Sequence, residues 1–442
     1  MMRGHGDTET RSGIQVRFTR SLLLRFILLC VIATFFSMQS ASARELTLQD
    51  LISEALQKSP EIHAAQARAA ASQFKIPQAK SLPDPMLMFG YQNEGYEKFN
   101  YGKSEDAQFM YSVSQMFPFP GKRGLKGEMA AREAESLAAS SGSTKLKTIA
   151  RIKELYYDLF FTYKSIDLLK DRTELFSQIE NAALARYSSG MAPQQEVLMA
   201  QTEKYMLLER EEMLKQKIQA LEAMLNTTVG RKVDAPLGRP VEPNYDPYPR
   251  SLDELIAVAY ERSPDVKAKE KMVAAAEARI KMAKREYYPD ITLAGSVFER
   301  KNFDDMWSVT TTVNVPIFYR SKQRQAVHEA EASLSEAQSE LDATKLMLSS
   351  AIRDNYSMLK TTERLMDLYR EGLIPKTYQD FESALAGYGT GKIEAITVIN
   401  RLKAIIDFET SYWGQLAERE KAKARIEALT GIAEGIDETA RQ

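Results

Sequence analysis

The sequence predicts an α+β fold in which long helices are joined to short strands, arranged as two copies of one layout. Three patterns indicate this fold. The chain repeats itself at a spacing near half its length, long proline-free segments carry apolar residues at helical spacing, and runs of about ten residues alternate apolar and polar side chains. The repeat determines the order of the elements, and the other two patterns determine their types.

The first 43 residues have the composition of an export signal. Four arginines between residues 11 and 25 precede an apolar run over residues 26–36, and Ala41-Ser42-Ala43 supplies a small-residue cleavage site. The apolar run is well short of the roughly 20 residues that a membrane-spanning helix needs. We therefore expect a signal peptide over residues 1–43, removed before the mature chain begins at Arg44.

The composition of the mature chain excludes two classes of protein. Residues 1–43 hold five arginines and two acids, so the remaining formal charge is 54 − 58 = −4, whereas nucleic-acid binding favours a basic surface. No later segment approaches about 18 apolar residues in a row, which excludes a helical membrane protein.

The only cysteine, Cys30, would leave with the signal peptide. Leu29 stands where an acylated cysteine needs a small residue, so we expect no lipid anchor.

The mature chain is a tandem duplication. Residues 48–52 return as residues 252–256, at an offset of 252 − 48 = 204, and further matched motifs follow in the same order. These motifs include Ser59-Pro60 with Ser263-Pro264, Pro83-Asp84 with Pro289-Asp290, and Tyr187 and Gly190 with Tyr388 and Gly391. The predicted domains are a first repeat over residues 44–229, a proline-rich linker over 230–250, a second repeat over 251–431 and a tail over 432–442.

Helices form most of each repeat. Thr47 with Asp50 and Ser251 with Glu254 have the spacing of a capping box, so each repeat opens on a helix. Apolar residues at spacings of three and four between Ile149 and Ile166 predict an amphipathic helix in coiled-coil packing, and its length corresponds to a rod of roughly 100 Å. The predicted helices cover about residues 47–82, 121–187 and 193–228 in the first repeat, and about 252–286, 320–387 and 392–430 in the second.

Four strands of membrane-spanning length complete the predicted fold. Apolar and polar residues alternate from Trp307 to Val315 and over residues 107–117. Runs of about ten residues with one apolar and one polar face suit tilted strands between lipid and water. Four strands leave open edges whose unpaired backbone groups are costly in lipid, so closure requires further copies of the chain. The predicted strands cover about residues 86–93, 107–117, 290–299 and 306–316.

The sequence offers little chemistry for an enzyme. The mature chain has two histidines, His63 and His328, neither in a zinc-binding spacing, and it has no glycine-rich phosphate loop. We therefore expect no catalytic residue, no cofactor and no metal site. Four methionines cluster in the strand region, and we expect them to fill apolar gaps rather than to bind soft metals. They are Met86, Met88, Met110 and Met116.

Over the whole mature chain, this organisation resembles the TolC-like outer-membrane efflux proteins. The matching features are the order helix, strand, strand, long helix, turn, helix in each repeat, and the strand-to-helix motif Phe117-Pro118-Phe119-Pro120-Gly121-Lys122-Arg123. The motif is most similar to the branch that works with resistance-nodulation-division pumps, including heavy-metal exporters. The resemblance implies a homotrimer in outer-membrane lipid, with a β-barrel of twelve strands, four from each protomer, continued by an α-helical barrel in the periplasm.

The resemblance also implies a function and partners. The expected function is a passive exit channel that carries drugs or metal ions delivered by an inner-membrane pump and a periplasmic adaptor protein. The adaptor would dock at the turns that contain Tyr187, Gly190, Tyr388 and Gly391. Gly190, Gly389 and Gly391 would supply the backbone freedom of a sharp turn, although a plain turn without a partner has the same composition.

The periplasmic aperture would lie just after these turns. Glu196 aligns with one acidic position of the family, whereas Thr397 and Asn400 stand where further acids are expected. A ring of Glu196 carboxylates would attract cations, but a Glu in the first turn of a helix also complements the helix dipole. Two alternatives remain open from the sequence: a periplasmic coiled-coil adaptor or scaffold, and the exit duct of a type I protein secretion system.

Overall fold

The computed structural model describes residues 45–432, so the predicted signal peptide and all but the first residue of the predicted tail lie outside the described residues. The described chain contains helices and strands in the same order in both repeats. In the first repeat they are α1 (Leu48–Lys58), α2 (Pro60–Lys80), β1 (Met86–Gln92), β2 (Gln108–Phe117), α3 (Lys122–Ser188) and α4 (Gln194–Val229). In the second they are α5 (Leu252–Arg262), α6 (Pro264–Arg285), β3 (Asp290–Glu299), β4 (Met306–Asn314), α7 (Gln323–Leu368), α8 (Ile374–Gly389) and α9 (Ala395–Thr430).

Each repeat opens on two helices, so the prediction of one helix over residues 47–82, and of one over 252–286, is wrong. The chain breaks at Ser59 (φ −63°, ψ 120°) and at Ser263 (φ −54°, ψ 125°), each directly before a proline. The proline ring excludes the helical conformation from the preceding residue, and proline itself suits the first position of a new helix. The Ser-Pro motif therefore ends one helix and begins the next.

The predicted helix over residues 320–387 is also interrupted. It begins at Gln323, and a π-helical segment, Tyr369–Leu373, separates α7 from α8. Pro375 explains the interruption, because in α-helical geometry its ring would clash with the carbonyl of Glu371. The matching helix of the first repeat, α3, contains no proline and continues for 67 residues, or roughly 100 Å.

The four strands form one antiparallel sheet in the order β1-β2-β3-β4. The repeats meet at its centre, where Ser112 of β2 pairs with Ser296 of β3 and their hydroxyls lie 2.9 Å apart. In every pair, both partners have odd numbers or both have even numbers, so odd-numbered residues share one face and even-numbered residues share the other. The odd face carries Leu, Ile, Val, Phe, Tyr and Trp, and the even face is rich in Ser and Thr.

The helices stack end to end in columns below this sheet. Gly230 follows α4 with φ +97°, and a Cβ there would lie 2.4 Å from the carbonyl oxygen of Lys58, the last residue of α1, so the end of α4 abuts the junction of α1 and α2. Gly431 follows α9 with φ +75°, and a Cβ there would lie 2.9 Å from the carbonyl oxygen of Arg262, the last residue of α5, so the end of α9 abuts the junction of α5 and α6. The duplication has preserved both junctions.

These columns form one layer. Helix α3 packs between the α2/α4 column and the α6/α9 column, and the α7/α8 column packs on the other side of α6/α9. Buried clusters centred on Leu159, Ile399 and Leu359 fill the layer. Within residues 45–432, every helix is too short or too polar to cross a membrane.

Alanine at Gly230 should destabilise the protein. A Cβ at this position has no space against backbone, and a positive φ is strained for any L side chain, at about 1–3 kcal/mol. Thermal unfolding of the detergent-solubilised protein, followed by circular dichroism, should show a lower Tm. The control is Gly124→Ala within α3, which has open space and should be neutral or stabilising. Equal melting of the Gly230→Ala variant and the wild type would contradict the stacked junction.

A charge pair at the same junction should make stability depend on pH. The Arg231 Nε donates to Glu54 Oε2 (2.9 Å), and this bond, with help from Lys58, lowers the pKa of Glu54 from 4.5 to about 2. The pair's contribution, about 2 kcal/mol, is therefore present above pH 4.5 and is lost as the pH falls towards 2. The difference in melting between Glu54→Gln and the wild type should be largest near pH 7 and should shrink steadily as the pH falls from 4.5 towards 2. A constant difference would exclude the ionised pair as its source.

Candidate functional site at the paired helix turns

The turns between α3 and α4 and between α8 and α9 have the same geometry. Gly190 has φ +74°, and the Met191 amide donates to the Arg186 carbonyl over 2.8 Å. Gly391 has φ +75°, and the Lys392 amide donates to the Gly387 carbonyl over 2.9 Å. Each helix thus ends on a left-handed glycine whose following amide satisfies a free carbonyl of the last turn.

The glycine prediction holds at Gly190 and Gly391 and is wrong at Gly389. Gly389 is the last residue of α8 and is not among the described glycines with positive φ. The helix needs left-handed backbone only once, at the residue that reverses the chain, and Gly391 supplies it. A side chain at Gly389 would meet open space.

The two tip tyrosines, although matched in sequence, have different environments. Tyr187 is 44% exposed, whereas Tyr388 is 1% exposed and is among the largest fully buried side chains. The Tyr388 hydroxyl donates to Glu196 Oε2 over 3.0 Å. Burial, followed by this bond to a carboxylate, raises the pKa of Tyr388 to about 12. Tyr388 is therefore a neutral hydrogen-bond donor at physiological pH.

Arg186 joins the two turns to each other. Its guanidinium lies over the Tyr388 ring, 4.6 Å from the centroid, and donates to the Tyr388 carbonyl oxygen. Arg186, Tyr388 and Glu196, which we call the tip cluster, therefore connect the end of α3, the end of α8 and the start of α4. The structure brings only one of the three predicted aperture residues, Glu196, into this cluster.

The other two aperture residues lie apart from the tip cluster. Thr397 is half-buried and Asn400 is exposed on α9. No side-chain hydrogen bond joins either residue to the cluster within residues 45–432. The Glu196 carboxylate accepts a hydrogen bond from Tyr388 of the same chain, so one of its oxygens is engaged within the protomer.

Sequence reasoning missed Arg186. The residue before the tip tyrosine is Arg186 in the first repeat and Gly387 in the second, so the duplicated motif differs at this position. A Cβ at Gly387 would lie 2.6 Å from the Ile393 side chain, which explains why the second repeat has no side chain there. This difference between otherwise matched motifs was the available signal.

The strand-to-helix motif forms a second site, at the junction of the sheet and the helices. Lys122 is 3% exposed, and its Nζ donates to Asp290 Oδ1 (2.9 Å), to the Tyr288 carbonyl (3.0 Å) and to Glu286 Oε2 (3.2 Å). Phe119 stacks on Tyr288 with ring centroids 4.5 Å apart. The motif of the first repeat thus binds the segment that leads into β3 of the second.

Known proteins show the same organisation. Residues 51–231 and 255–431, which together exceed half of the 442 residues, match the family model described as outer membrane efflux protein. The chain belongs to the outer membrane efflux protein family. Both repeats match, and the resemblance to TolC-like efflux proteins is confirmed.

Individual members of the family are distant in sequence and similar in fold. The cobalt-zinc-cadmium resistance protein CzcC of Cupriavidus metallidurans is 21% identical over 396 residues, 88% of this chain and 91% of that protein. The pyoverdine export outer membrane protein OpmQ of Pseudomonas putida is 22% identical over 413 residues, 87% of this chain and 86% of that protein. The crystal structure of VceC from Vibrio cholerae superposes with a TM-score of 0.73 at 18% identity, over 87% of this chain and 96% of that one. The predicted α+β channel fold is confirmed.

Removal of the Arg186 side chain should loosen the second tip turn. Arg186→Ala loses a cation–π contact and a charge-assisted hydrogen bond, together about 1–2 kcal/mol. Amide hydrogen exchange at Gly391 and Lys392 should therefore become about tenfold faster or more. The matched control is Arg210→Ala, since Arg210 forms only an exposed pair with Asp407 at 3.7 Å. Equal exchange at the second turn in both variants would show that Arg186 does not hold it.

Proposed function

We propose that this chain is one protomer of a passive outer-membrane exit channel, which releases small toxic solutes delivered by an inner-membrane pump and a periplasmic adaptor. The observation that carries the proposal is that the sheet and the helical layer have open edges on the same two sides. Family membership supports the location and the efflux role.

The edge strands continue into the edge helix columns. β1 follows α2, and β4 leads into α7, so one side of the protomer is β1 with α2/α4 and the other is β4 with α7/α8. Both columns expose large apolar side chains, which is unusual for surfaces that remain in water. On α4 they include Leu198, Tyr205 and Met213 (53%, 71% and 66% exposed), and on α7 they include Leu346, Met347 and Leu368 (70%, 66% and 54% exposed).

Contact between unlike edges of successive copies would pair the open strand edges of the sheet and would cover the exposed apolar side chains of the outer helix columns. When β4 of one copy lies beside β1 of the next, the strands run antiparallel, as they do elsewhere in the sheet. Such head-to-tail contacts close into a ring. The TolC-like resemblance supplies the number three, and three sheets of four strands make a barrel of twelve.

The two faces of the sheet then have different solvents. The odd face, with Trp307, Val309 and Val313 of β4, suits lipid, and the even face, with Ser308, Thr310 and Thr312, suits a water-filled lumen. The printed names of CzcC and OpmQ refer to metal resistance and pyoverdine export. These different cargoes support a passive duct for small solutes whose partners select the substrate.

The tip turns are proposed as the docking site for the adaptor. Tyr187 and Met191 are 44% and 72% exposed beside Gly190, at the far end of the helix columns from the sheet. The Tyr388–Glu196 bond restrains the adjacent start of α4. Glu196, which accepts this bond, is proposed to form the periplasmic aperture together with Thr397 and Asn400. Opening of the aperture would therefore involve the Tyr388–Glu196 bond.

Cell fractionation tests the location. The protein should stay with outer-membrane pellets through alkaline washing and should require detergent for release. Recovery of folded protein from the soluble periplasmic fraction would overturn the channel and would favour a periplasmic adaptor or scaffold.

Valine at the tip glycines tests docking. Gly190→Val and Gly391→Val place a β-branched residue at a positive φ, at about 1–3 kcal/mol of local strain. Resistance of a deletion strain complemented with either variant should fall at least fourfold, with unchanged amounts of oligomer in the outer membrane. The control is Gly389→Ala, in the same turn without positive φ, which should restore full resistance. Full resistance with both valine variants would exclude the turns as the docking site.

A further inference from the structure

All methionines of the four strands lie on one face of the sheet. They are Met86 and Met88 on β1, Met110 and Met116 on β2, and Met306 on β4. All five have even numbers, so the strand register places them on the same face as the serines and threonines. The odd face has no methionine in these strands.

The branched aliphatic residues show the opposite distribution. All seven Leu, Ile and Val residues of the strands have odd numbers: Leu87, Val113, Ile291, Leu293, Val297, Val309 and Val313. A requirement for apolar surface alone would allow Leu or Val on the even face as well. This distribution indicates that the even face requires the thioether group of methionine and not only an apolar side chain.

Three of the five methionines are exposed, and Met110 and Met116 are half-buried. Met86 and Met88 are 63% and 49% exposed and pair with Ser114 and Ser112. Met306 is 43% exposed. The expectation that strand methionines fill gaps in apolar surroundings does not explain this setting, because the buried apolar clusters found within residues 45–432 include no residue of the four strands.

The even face offers sulfur and almost no charge. Asp290 is its only acid within the strands, and its Oδ1 accepts bonds from Lys122 (2.9 Å) and the Phe119 amide (2.7 Å). Among the described residues, no three His, Cys, Asp or Glu side chains are placed to hold a metal ion. Neutral thioethers bind soft cations such as Cu(I), whereas harder divalent ions need imidazole or carboxylate ligands.

Methionine contacts cross the sheet in a row. Met110 of β2 pairs with Phe298 of β3, and Phe298 pairs with Met306 of β4, so the register places an aromatic residue between two methionines. Met88 is the diagonal neighbour of Met110, within reach of a long side chain. Met88, Met110, Phe298 and Met306 therefore form a row across the four strands on the even face.

We propose that the even face is a methionine-lined path for soft monovalent cations, which pass along it as cargo. The proposal rests on the proposed function, since it requires this face to line the lumen. Neutral thioethers on three of the four strands would bind such ions weakly and at several positions, which is what conduction requires. The carboxyl-poor face would not retain divalent ions in the same way.

The test measures silver binding, with AgNO₃ as the probe, by equilibrium dialysis of the detergent-solubilised oligomer in chloride-free buffer. The strand variant replaces Met86, Met88, Met110, Met116 and Met306 with Leu, which keeps apolar volume and removes sulfur. The matched control replaces five helix methionines outside the docking turns with Leu: Met206, Met224, Met272, Met282 and Met358. The strand variant should bind Ag(I) at least tenfold more weakly than the wild type, and the control should not.

Two outcomes would overturn the inference. Equal silver binding by the strand variant and the wild type excludes the thioethers as ligands. Silver tolerance of cells that is unchanged by the strand variant, with the oligomer present in the outer membrane, excludes a role in transport while leaving the channel intact. If the wild-type protein is instead absent from the outer membrane, the proposed function itself fails, which separates the two failures.

Discussion

Backbone hydrogen bonding at the edges of the sheet is the constraint on which the architecture depends. Within the described chain, β1 and β4 each have one paired side, and every unpaired backbone group in lipid costs several kcal/mol. The helical layer has the same incompleteness, since its outer columns expose Tyr205 on one side and Leu346 on the other. A chain with matched open edges in both layers can satisfy them with copies of itself, and this need explains the remaining features of the protomer.

Contacts between the repeats hold the protomer as one wall between its edges. Lys122 bonds to Asp290 where the sheet and the helices meet, Arg172 Nη2 lies 2.7 Å from Glu409 Oε1 in the half of α3 nearer the tip, and Arg186 bonds to Tyr388 at the tip. Partly buried pairs of this kind add modest net stability, because desolvation offsets much of their attraction. Their geometric specificity matters more, because three pairs along α3 fix its register against the second repeat.

Local patterns in the sequence predicted most of the fold. Strand periodicity and the glycines at Gly190 and Gly391 depend on neighbouring residues, and the duplication is visible as repeated motifs, so all three can be read along the chain. The helix break at Ser59 was visible only as a repeated motif, because a proline can either begin a helix or interrupt one. The Tyr388–Glu196 bond and the Lys122 site join residues far apart in sequence, and no local pattern specifies such partners. The methionine face required the strand register, since a shift of one residue would move every side chain to the other face.

The mass of the folded assembly tests the central claim most directly. Native mass spectrometry of the mature protein, released from detergent micelles after dilution, measures how many chains close the structure. The account predicts three chains and no folded monomer, because a single chain leaves both layers open. A folded monomer that persists in detergent with all four strands protected from hydrogen exchange would show that the edges do not require other copies, and it would contradict the account.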